Sequence, residues 1–325
     1  MPLPKPTPGQ SINQFLDSCL ANETIQSEFA GRQRVAVCYN IYNRSKAKRV
    51  LSKQFKENWR KAYEDRLSKS EKTQIRIFRK YYTDNYNTAI EKFQLGQINP
   101  ELIMNVNEMT ELYKQMYLDI GIKQGKWYAT NFDKYLKKGV DFRQFLDYWN
   151  QAFAEKGEEM AGVRVVSVIA TARKVFQQTI QKLMTDESFM AEGADAQARI
   201  LRRKFKEVSQ YQALRIVRTE SALAANFATQ ETARQIFPGS QMSKEWIAGS
   251  DARVRPAHRE ADGQIVKFDE DFLVGGESLA YPGDPRGSAG NVINCRCSTA
   301  PIPDEDAISN VELEEIGFGL SGQRT

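Results

Sequence analysis

Residues 246–297 read WIAGSDARVRPAHREADGQIVKFDEDFLVGGESLAYPGDPRGSAGNVINCRC. This stretch holds the only histidine of the chain and two of its four cysteines, among many glycine, proline and charged residues. Asp262-Gly263 predicts a tight turn that leads into a strand. Turn residues separate short β-forming runs, which predict strands at 244–248, 264–268 and 292–301. The stretch therefore predicts a small mixed α/β module, packed against a helix at 212–236.

The residues before this module have the apolar spacing of helices, from about residue 11 to residue 237. Apolar side chains recur three or four positions apart, as from Leu51 through Phe55 to Trp59, which predicts amphipathic helices with buried aromatic residues. Helix breaks are expected at Asn99-Pro100 and between Gly121 and Gly125. The predicted fold class is mainly α, with a long helical N-terminal region followed by a small α+β C-terminal module.

Four segments are expected along the chain. Residues 1–10 alternate proline with other residues, which favours an extended arm. Residues 11–210 form the helical region and residues 211–303 the α+β module. Residues 304–325 carry six acidic side chains against one basic side chain, and we expect an acidic, flexible tail there.

Composition excludes some classes of protein. The chain has 325 residues, of which 41% are hydrophobic and 27% charged, which is typical of water-soluble proteins. No apolar run reaches the length of a membrane span, and the N-terminus lacks the apolar core of a secretory signal. Four cysteines without an export signal favour a reducing compartment. Cys19 and Cys38 are therefore expected to be small, reduced core residues.

A basic run extends from residue 44 to residue 80, with 14 lysines and arginines against 4 acidic residues. Such charges can be the solvated face of a long helix. An excess of this size also favours attraction to phosphates or to an acidic protein surface. The candidates for a surface that binds DNA or a portal are Arg44, Lys46, Lys48, Arg49, Lys53, Lys56, Arg60 and Lys61.

A metal site is one interpretation of the rare residues in the module. Cys295 and Cys297 could both reach one ion, and His258 and Asp251 would complete four ligands of the zinc type. In the alternative interpretation the same side chains are packed and hydrogen-bonded inside a small domain. A disulfide between the two cysteines is disfavoured by its geometry.

Arginine and aspartate side chains surround these candidates. Arg253, Arg255 and Arg296 lie near Asp251, Asp262 and Asp284 in the sequence, and such pairs commonly fix loops. Recognition of a phosphate or carboxylate is the alternative. The side chains of Asn294 and Asn291 are expected to tie down the turn before the cysteines through hydrogen bonds to the backbone.

Catalysis has little support in the sequence, so we expect no catalytic residue and no enzyme. His258 could form a nucleophilic pair only with Cys295 or Cys297, and nothing around them marks an activated thiol. A metal-dependent nuclease using His258, Asp262 and Asn294, or a transferase acting on a host target, is the alternative.

The segment from about Arg215 to Ala300 resembles the phage Mu F-like family of minor head proteins, also called phage head morphogenesis proteins. The resemblance covers about a quarter of the chain. It runs through Arg218-Thr219-Glu220, Asn226, Lys244, Trp246, Asp251-x-Arg253-x-Arg255-x-x-His258, Asp262-Gly263, Tyr281-Pro282-Gly283-Asp284 and Asn294-Cys295-Arg296-Cys297.

This resemblance implies a virion component associated with the portal vertex. Such a protein would act in procapsid assembly, DNA packaging or DNA ejection, and would be in the host cytoplasm during assembly. Its partners would be the portal protein, other head proteins and packaged double-stranded DNA, with no membrane. The resemblance also implies one shared site, lined by Glu220, Asp251, His258, Asp262, Cys295 and Cys297. The residues that would support this site are Trp246, Gly263, Arg253, Arg255 and Arg296.

Overall fold

The computed structural model describes residues 3–7, 9–46, 51–97, 103–135, 141–237, 242–304, 308–309, 312–313 and 315–319. Helices dominate these residues, as the fold class predicts. They are α1 (Ile12–Leu20), α2 (Glu23–Glu28), α3 (Arg32–Lys46), α4 (Lys53–Gln94), α5 (Val106–Phe132), α6 (Leu146–Met184), α7 (Glu187–Met190), α8 (Ala194–Ile236), α9 (Pro256–Glu260) and α10 (Ala289–Val292).

The longest helices follow from composition. α4 and α8 span 42 and 43 residues without a glycine or proline, the residues that most disfavour a helix interior. α5, in contrast, contains both Gly121 and Gly125, so the break expected there is wrong. Each glycine costs a helix about 1 kcal/mol relative to alanine, and the buried side chains of α5, such as Tyr117 and Tyr128, offset that cost. The boundary expected at Asn99-Pro100 lies outside the described residues.

Five strands follow α8: β1 (Met242–Ile247), β2 (Ile265–Lys267), β3 (Phe272–Val274), β4 (Glu277–Leu279) and β5 (Ser298–Pro303). β1 lies between β2 and β5 in an antiparallel sheet, with Glu245 opposite both Ile265 and Ala300. β1 and β2 confirm two predicted strands. The third prediction began too early, because residues 289–292 form α10.

The β3–β4 hairpin was not predicted from the sequence. Its loop is Gly275-Gly276, with φ of 59° and 84°, and positive φ at both central residues is typical of the tight turns that suit a hairpin. Two adjacent glycines between Phe272 and Leu279 were the available signal.

The chain forms two compact units. The first contains residues 1–68, 121–149 and 222–325, and the second contains residues 69–120 and 150–221. Helices α4, α5, α6 and α8 each contribute residues to both units. The segment boundaries expected at residues 210 and 303 stay predictions.

Each unit has its own core. In the first unit Trp246, Phe272 and Leu279 are fully buried beside Cys295 and Cys297. In the second, Tyr86 stacks on Phe176 and Phe205, with ring centroids 6.1 and 4.6 Å away. Among the described residues no helix has both the length and the apolar character that crossing a membrane requires.

Cys19 and Cys38 depart from the expectation of reduced thiols. Both are buried in an apolar cluster with Phe15 and Ile25, as expected of core residues, but they form a disulfide that joins α1 to α3. The absence of an export signal favoured reduced thiols, but α1 packs against α3 and places the two side chains side by side.

Candidate metal centre

Short segments of the first unit build a cluster of histidine and cysteine side chains. His258 lies on α9, which begins at Pro256, and a proline ring presets the backbone for a first helical turn. Cys295 and Cys297 lie between α10 and β5, directly after a turn at Asn294 with φ of 57°. Asparagine tolerates this left-handed conformation better than most residues do.

The ligand atoms of the three side chains converge. Nδ1 of His258 lies 3.4 Å from Sγ of Cys297 and 3.6 Å from Sγ of Cys295. All three side chains are about 1% exposed, and one ligand atom from each lies within 4.8 Å of the others. In the described part of the chain, no other group of three or more His, Cys, Asp or Glu side chains meets in this way.

The opposite nitrogen of the imidazole ring faces Asn291. Nε2 of His258 lies 3.3 Å from Oδ1 of Asn291, whose Nδ2 donates to the backbone oxygen of Val274 at 3.2 Å. Because the amide nitrogen is held by that carbonyl, the amide oxygen faces the ring and accepts from Nε2–H. The lone pair of a neutral ring is then on Nδ1, directed at the two sulfurs.

The two thiols are free and influence each other. The hydrogen bond between them holds the pKa of Cys295 well below its ordinary value and raises the pKa of Cys297 well above it. Burial opposes ionisation of both sulfurs. Cys295 is therefore the sulfur that carries negative charge more readily.

Asp251, the predicted fourth ligand, does not join this group. Its carboxylate accepts hydrogen bonds from Nε and Nη2 of Arg253 at 3.0 and 2.5 Å. The hydrogen bonds from this guanidinium lower the pKa of Asp251. The ion pair joins two residues of the same loop, which agrees with the interpretation that such pairs fix loops. Of the four predicted ligands, the structure brings together His258, Cys295 and Cys297.

The other predicted ion pairs are distributed differently. Arg255 donates to the backbone oxygen of Ile293, and Arg296 lies half-buried between the two cysteines. Asp284 pairs at 2.7 Å with Arg286, which is not one of the three predicted arginines. The guanidinium groups of Arg255 and Arg286 thus each hold a loop of the module.

The Asp262-Gly263 turn is confirmed. Gly263 has a φ of 77°, and its N–H donates to the backbone oxygen of Trp246 at 2.8 Å. Oδ1 of Asp262 accepts from the N–H of Ala248 at 2.8 Å. The turn therefore leads directly into β2 and is hydrogen-bonded to β1.

Glu220 belongs to the second unit, whereas His258 and the cysteines belong to the first. Its buried carboxylate accepts a hydrogen bond from the hydroxyl of Tyr117 at 2.6 Å and lies 3.2 Å from Nε of Arg164. Burial raises the pKa of Glu220, against the opposing charge of Arg164. Glu220 thus has its own partners among the helices of that unit.

Two of the predicted basic surface residues face the module. Nζ of Lys56 lies 3.0 Å from the buried carboxylate of Glu245 in β1. Nε of Arg60 donates to the backbone oxygen of Ala248 at 2.7 Å, and its Nη2 lies 3.8 Å from Asp262. Lys56 and Arg60 are one helical turn apart, so they hold one face of α4 against the sheet.

The remaining basic candidates divide into three groups. Lys53 and Lys61 are exposed on α4. Arg44 and Lys46 lie near the end of α3. Lys48 and Arg49 lie outside the described residues.

Asn226, which the predicted site does not include, is a buried residue that joins α8 to the segments around Pro282 and Cys297. It is fully buried on α8, and its Nδ2 lies within hydrogen-bond distance of the hydroxyl of Tyr63 and the backbone oxygens of Pro282 and Cys297, at 3.2, 3.1 and 3.1 Å. Its Oδ1 accepts from the N–H of Thr299 at 2.8 Å. In the sequence, Asn226 is a single amide within the apolar run that begins at Ala222, and this could have indicated a buried polar residue.

Comparisons with known proteins agree with the motif pattern. Residues 177–300 match the family described as Phage Mu protein F like protein. Minor head protein GP7 of Bacillus phage SPP1 is 23% identical over 269 residues, which cover 80% of this chain and 85% of that protein. No solved structure is significantly similar to this chain.

Two further relatives match shorter stretches. NAD(+)–arginine ADP-ribosyltransferase EFV of Enterococcus faecalis is 39% identical over 101 residues, 30% of this chain. Uncharacterized protein YqbB of Bacillus subtilis is 32% identical over 100 residues, 29% of this chain. The chain spans only 20% and 32% of the lengths of these two relatives. Residues 177–300, which include the motifs and most of the module, are therefore similar to the family described as Phage Mu protein F like protein.

Proposed function

We propose that this chain is a minor structural protein of a bacteriophage head. The observation that carries the proposal is the similarity to Minor head protein GP7 over 80% of the chain. A match of that extent includes residues of both units, so it reaches well beyond the module that the family match covers.

The finer proposal is that the chain acts at the portal vertex during procapsid assembly, DNA packaging or DNA ejection. The portal protein, other head proteins and packaged DNA would then be its partners. The exposed lysines Lys53 and Lys61 on α4 support an electrostatic contact, since they are not used to hold the module. Such a contact attracts phosphates or acidic protein without sequence preference and weakens with salt.

The test of a head role is mass spectrometry of purified proheads and virions, from phage with the gene intact and with the gene deleted. We expect the chain in proheads from the intact phage, and fewer complete heads from the deletion. Complementation with the wild-type gene should restore head yield. Absence of the chain from both proheads and virions contradicts the proposal.

Portal association has a charge-matched test. We expect the Lys53→Glu/Lys61→Glu variant to co-purify with the portal protein less well than wild type at low salt. The difference should shrink at higher salt, where screening weakens the contact in the wild-type chain. The control is Lys174→Glu/Lys182→Glu, which reverses two exposed charges on α6. Equal loss in both variants would indicate a general effect of net charge, and unchanged binding in both would remove α4 from the contact.

A second candidate is transfer of ADP-ribose to arginine, favoured by the 39% identity to the Enterococcus faecalis transferase. That alignment covers 20% of the transferase, which leaves most of its length without a counterpart here. Incubation with labelled NAD⁺ and an arginine-containing acceptor decides between the candidates. Stable label on the acceptor, lost in the His258→Ala variant while folding is retained, would support an enzyme.

A further inference from the structure

We propose that His258, Cys295 and Cys297 bind one Zn²⁺ ion, with His258 coordinating through Nδ1 and Asn291 orienting its ring. The proposal concerns the module itself, so it can hold or fail independently of the role in the phage head.

The distances between the side chains fit a common ion. In a tetrahedral site with Zn–N bonds of about 2.0–2.1 Å and Zn–S bonds of about 2.3 Å, nitrogen and sulfur lie about 3.6 Å apart. Nδ1 of His258 lies 3.4 and 3.6 Å from the two sulfurs. Both distances therefore lie within about 0.2 Å of the value that a bound zinc ion requires.

Hydrogen bonding alone accounts less well for this arrangement. A neutral imidazole has one lone pair, which can accept a proton from one thiol in good geometry. Here both sulfurs lie close to the same nitrogen, in a place where all three side chains are buried. A cation between the three atoms satisfies all of them at once, and thiolate and imidazole are ligands that zinc prefers.

The ring of His258 is prepared for coordination through Nδ1. Metal-binding histidines usually donate their other N–H to an oxygen, which fixes the tautomer and the ring orientation. Asn291 provides this oxygen to Nε2, and Val274 in turn fixes the amide of Asn291. On the third side, the ring of Trp246 packs at 88° to the imidazole with a centroid distance of 5.5 Å.

The protein supplies three ligands. Asp251 is held by Arg253, and among the described residues no other His, Cys, Asp or Glu side chain joins the group. The fourth position in a tetrahedral site would then belong to a small non-protein ligand such as water. This differs from the four-ligand set that the sequence suggested, and the difference can be tested directly.

The first experiment measures zinc in the full chain, purified under reducing conditions and reconstituted with ZnCl₂. We expect about one zinc per chain in wild type and little in His258→Ala, Cys295→Ser or Cys297→Ser, since each removes a ligand. The matched control is Asp251→Asn, which should keep the wild-type zinc content. Zinc content below about a tenth of an equivalent in folded, reconstituted wild type overturns the proposal. Loss of zinc in Asp251→Asn equal to that in Cys297→Ser overturns the three-ligand set.

The second experiment does not depend on whether the ligand variants fold. X-ray absorption at the zinc edge of the wild-type chain should show two sulfur ligands at about 2.3 Å and two nitrogen or oxygen ligands at about 2.0–2.1 Å. A shell without sulfur contradicts the site. Asn291→Ala should keep the same ligands but weaken zinc affinity by about 10- to 100-fold in competition with a chromophoric chelator. An unchanged affinity contradicts the orienting role of Asn291.

Discussion

The side-chain amide of Asn226 donates to the backbone oxygen of Cys297 at 3.1 Å. The same side chain accepts from the N–H of Thr299 at 2.8 Å, so one residue of α8 contacts the chain on both sides of Ser298. The position of Cys297 in the candidate site therefore depends on a helix that contributes no ligand. This arrangement explains how the module can keep buried loops in place with few regular strands.

Replacement of Asn226 tests that dependence. Asn226→Ala leaves several buried backbone groups without their partner, and each such group costs about 1–3 kcal/mol. We expect the free energy of unfolding to fall by about 3 kcal/mol, measured by denaturant titration. Asn150→Ala, at an exposed position of α6, should change it by less than about 0.5 kcal/mol. Similar values for the two variants would contradict the role given to Asn226.

Substitution of alanine for two glycines, Gly283 and Gly162, should change the stability of the chain in opposite directions. Gly283 has a φ of 88°, and a Cβ there would lie 3.2 Å from the backbone N and Cα of Leu223. Gly283→Ala should therefore cost about 1–3 kcal/mol. Gly162 lies inside α6 with open space around its Cα, so Gly162→Ala should stabilise the chain by about 0.5–1 kcal/mol. Thermal unfolding of both variants checks the prediction, which a fall in stability of the Gly162 variant would contradict.

The ion pair between Lys56 and Glu245 should contribute to stability although it involves a residue of the predicted basic surface. Lys56→Ala takes the ammonium away from a buried carboxylate, a change that typically costs about 3 kcal/mol. Lys56→Met/Glu245→Leu removes both charges and should recover much of that loss. Lys53→Ala, on the exposed side of α4, is the control and should have almost no effect. Equal unfolding free energies for Lys56→Ala and Lys53→Ala would refute the stabilising role of the ion pair between Lys56 and Glu245.

Lys244 gives the module a dependence on pH. Its Nζ donates to the backbone oxygen of Ala280 at 2.8 Å, and burial lowers the pKa of Lys244 from 10.5 to about 8, against the attraction of Asp271 and Asp269. Between about pH 8 and pH 10 the unfolded chain binds more protons here than the folded chain, so the free energy of unfolding should rise with pH.

Denaturant titrations at several pH values across this window measure the slope. Lys244→Met should flatten the rise, because the titrating group is gone, and Lys53→Met should keep it. A wild-type slope that persists in Lys244→Met would show that another group causes it.

The sequence predicts the fold class well because helical spacing is a local signal. α4 and α8 follow from long stretches without glycine or proline, and the turn at Gly263 follows from its local pair of residues. The helix break at Gly121 was wrong since the side chains that hold α5 together are buried by distant parts of the chain. Local spacing carries no information about that burial.

The candidate site was predicted only in part, because a local pattern does not show which side chains the fold brings together. His258, Cys295 and Cys297 stood out as rare residue types close together in the sequence, and the fold brings them together. Asp251 was as close in sequence, but the direction of its side chain is set by its pairing with Arg253. The contacts of Asn226 with Tyr63, Pro282 and Cys297 span 163, 56 and 71 residues, so no local pattern could identify them.

The residues of the two units are completed at different times during protein synthesis. The second unit is complete once residue 221 has left the ribosome, whereas the first needs residues 1–68, 121–149 and 222–325. At a synthesis rate of about 5–20 residues per second, the first helices wait at least about 10 s for the strands that complete their core. During that interval the indole N–H of Trp59 lacks its acceptor Ser298, and the hydroxyl of Tyr63 lacks Asn226. A truncated chain that ends before β5 would lack Ser298, so the buried indole N–H of Trp59 would have lost its acceptor and the fold of the first unit would be incomplete.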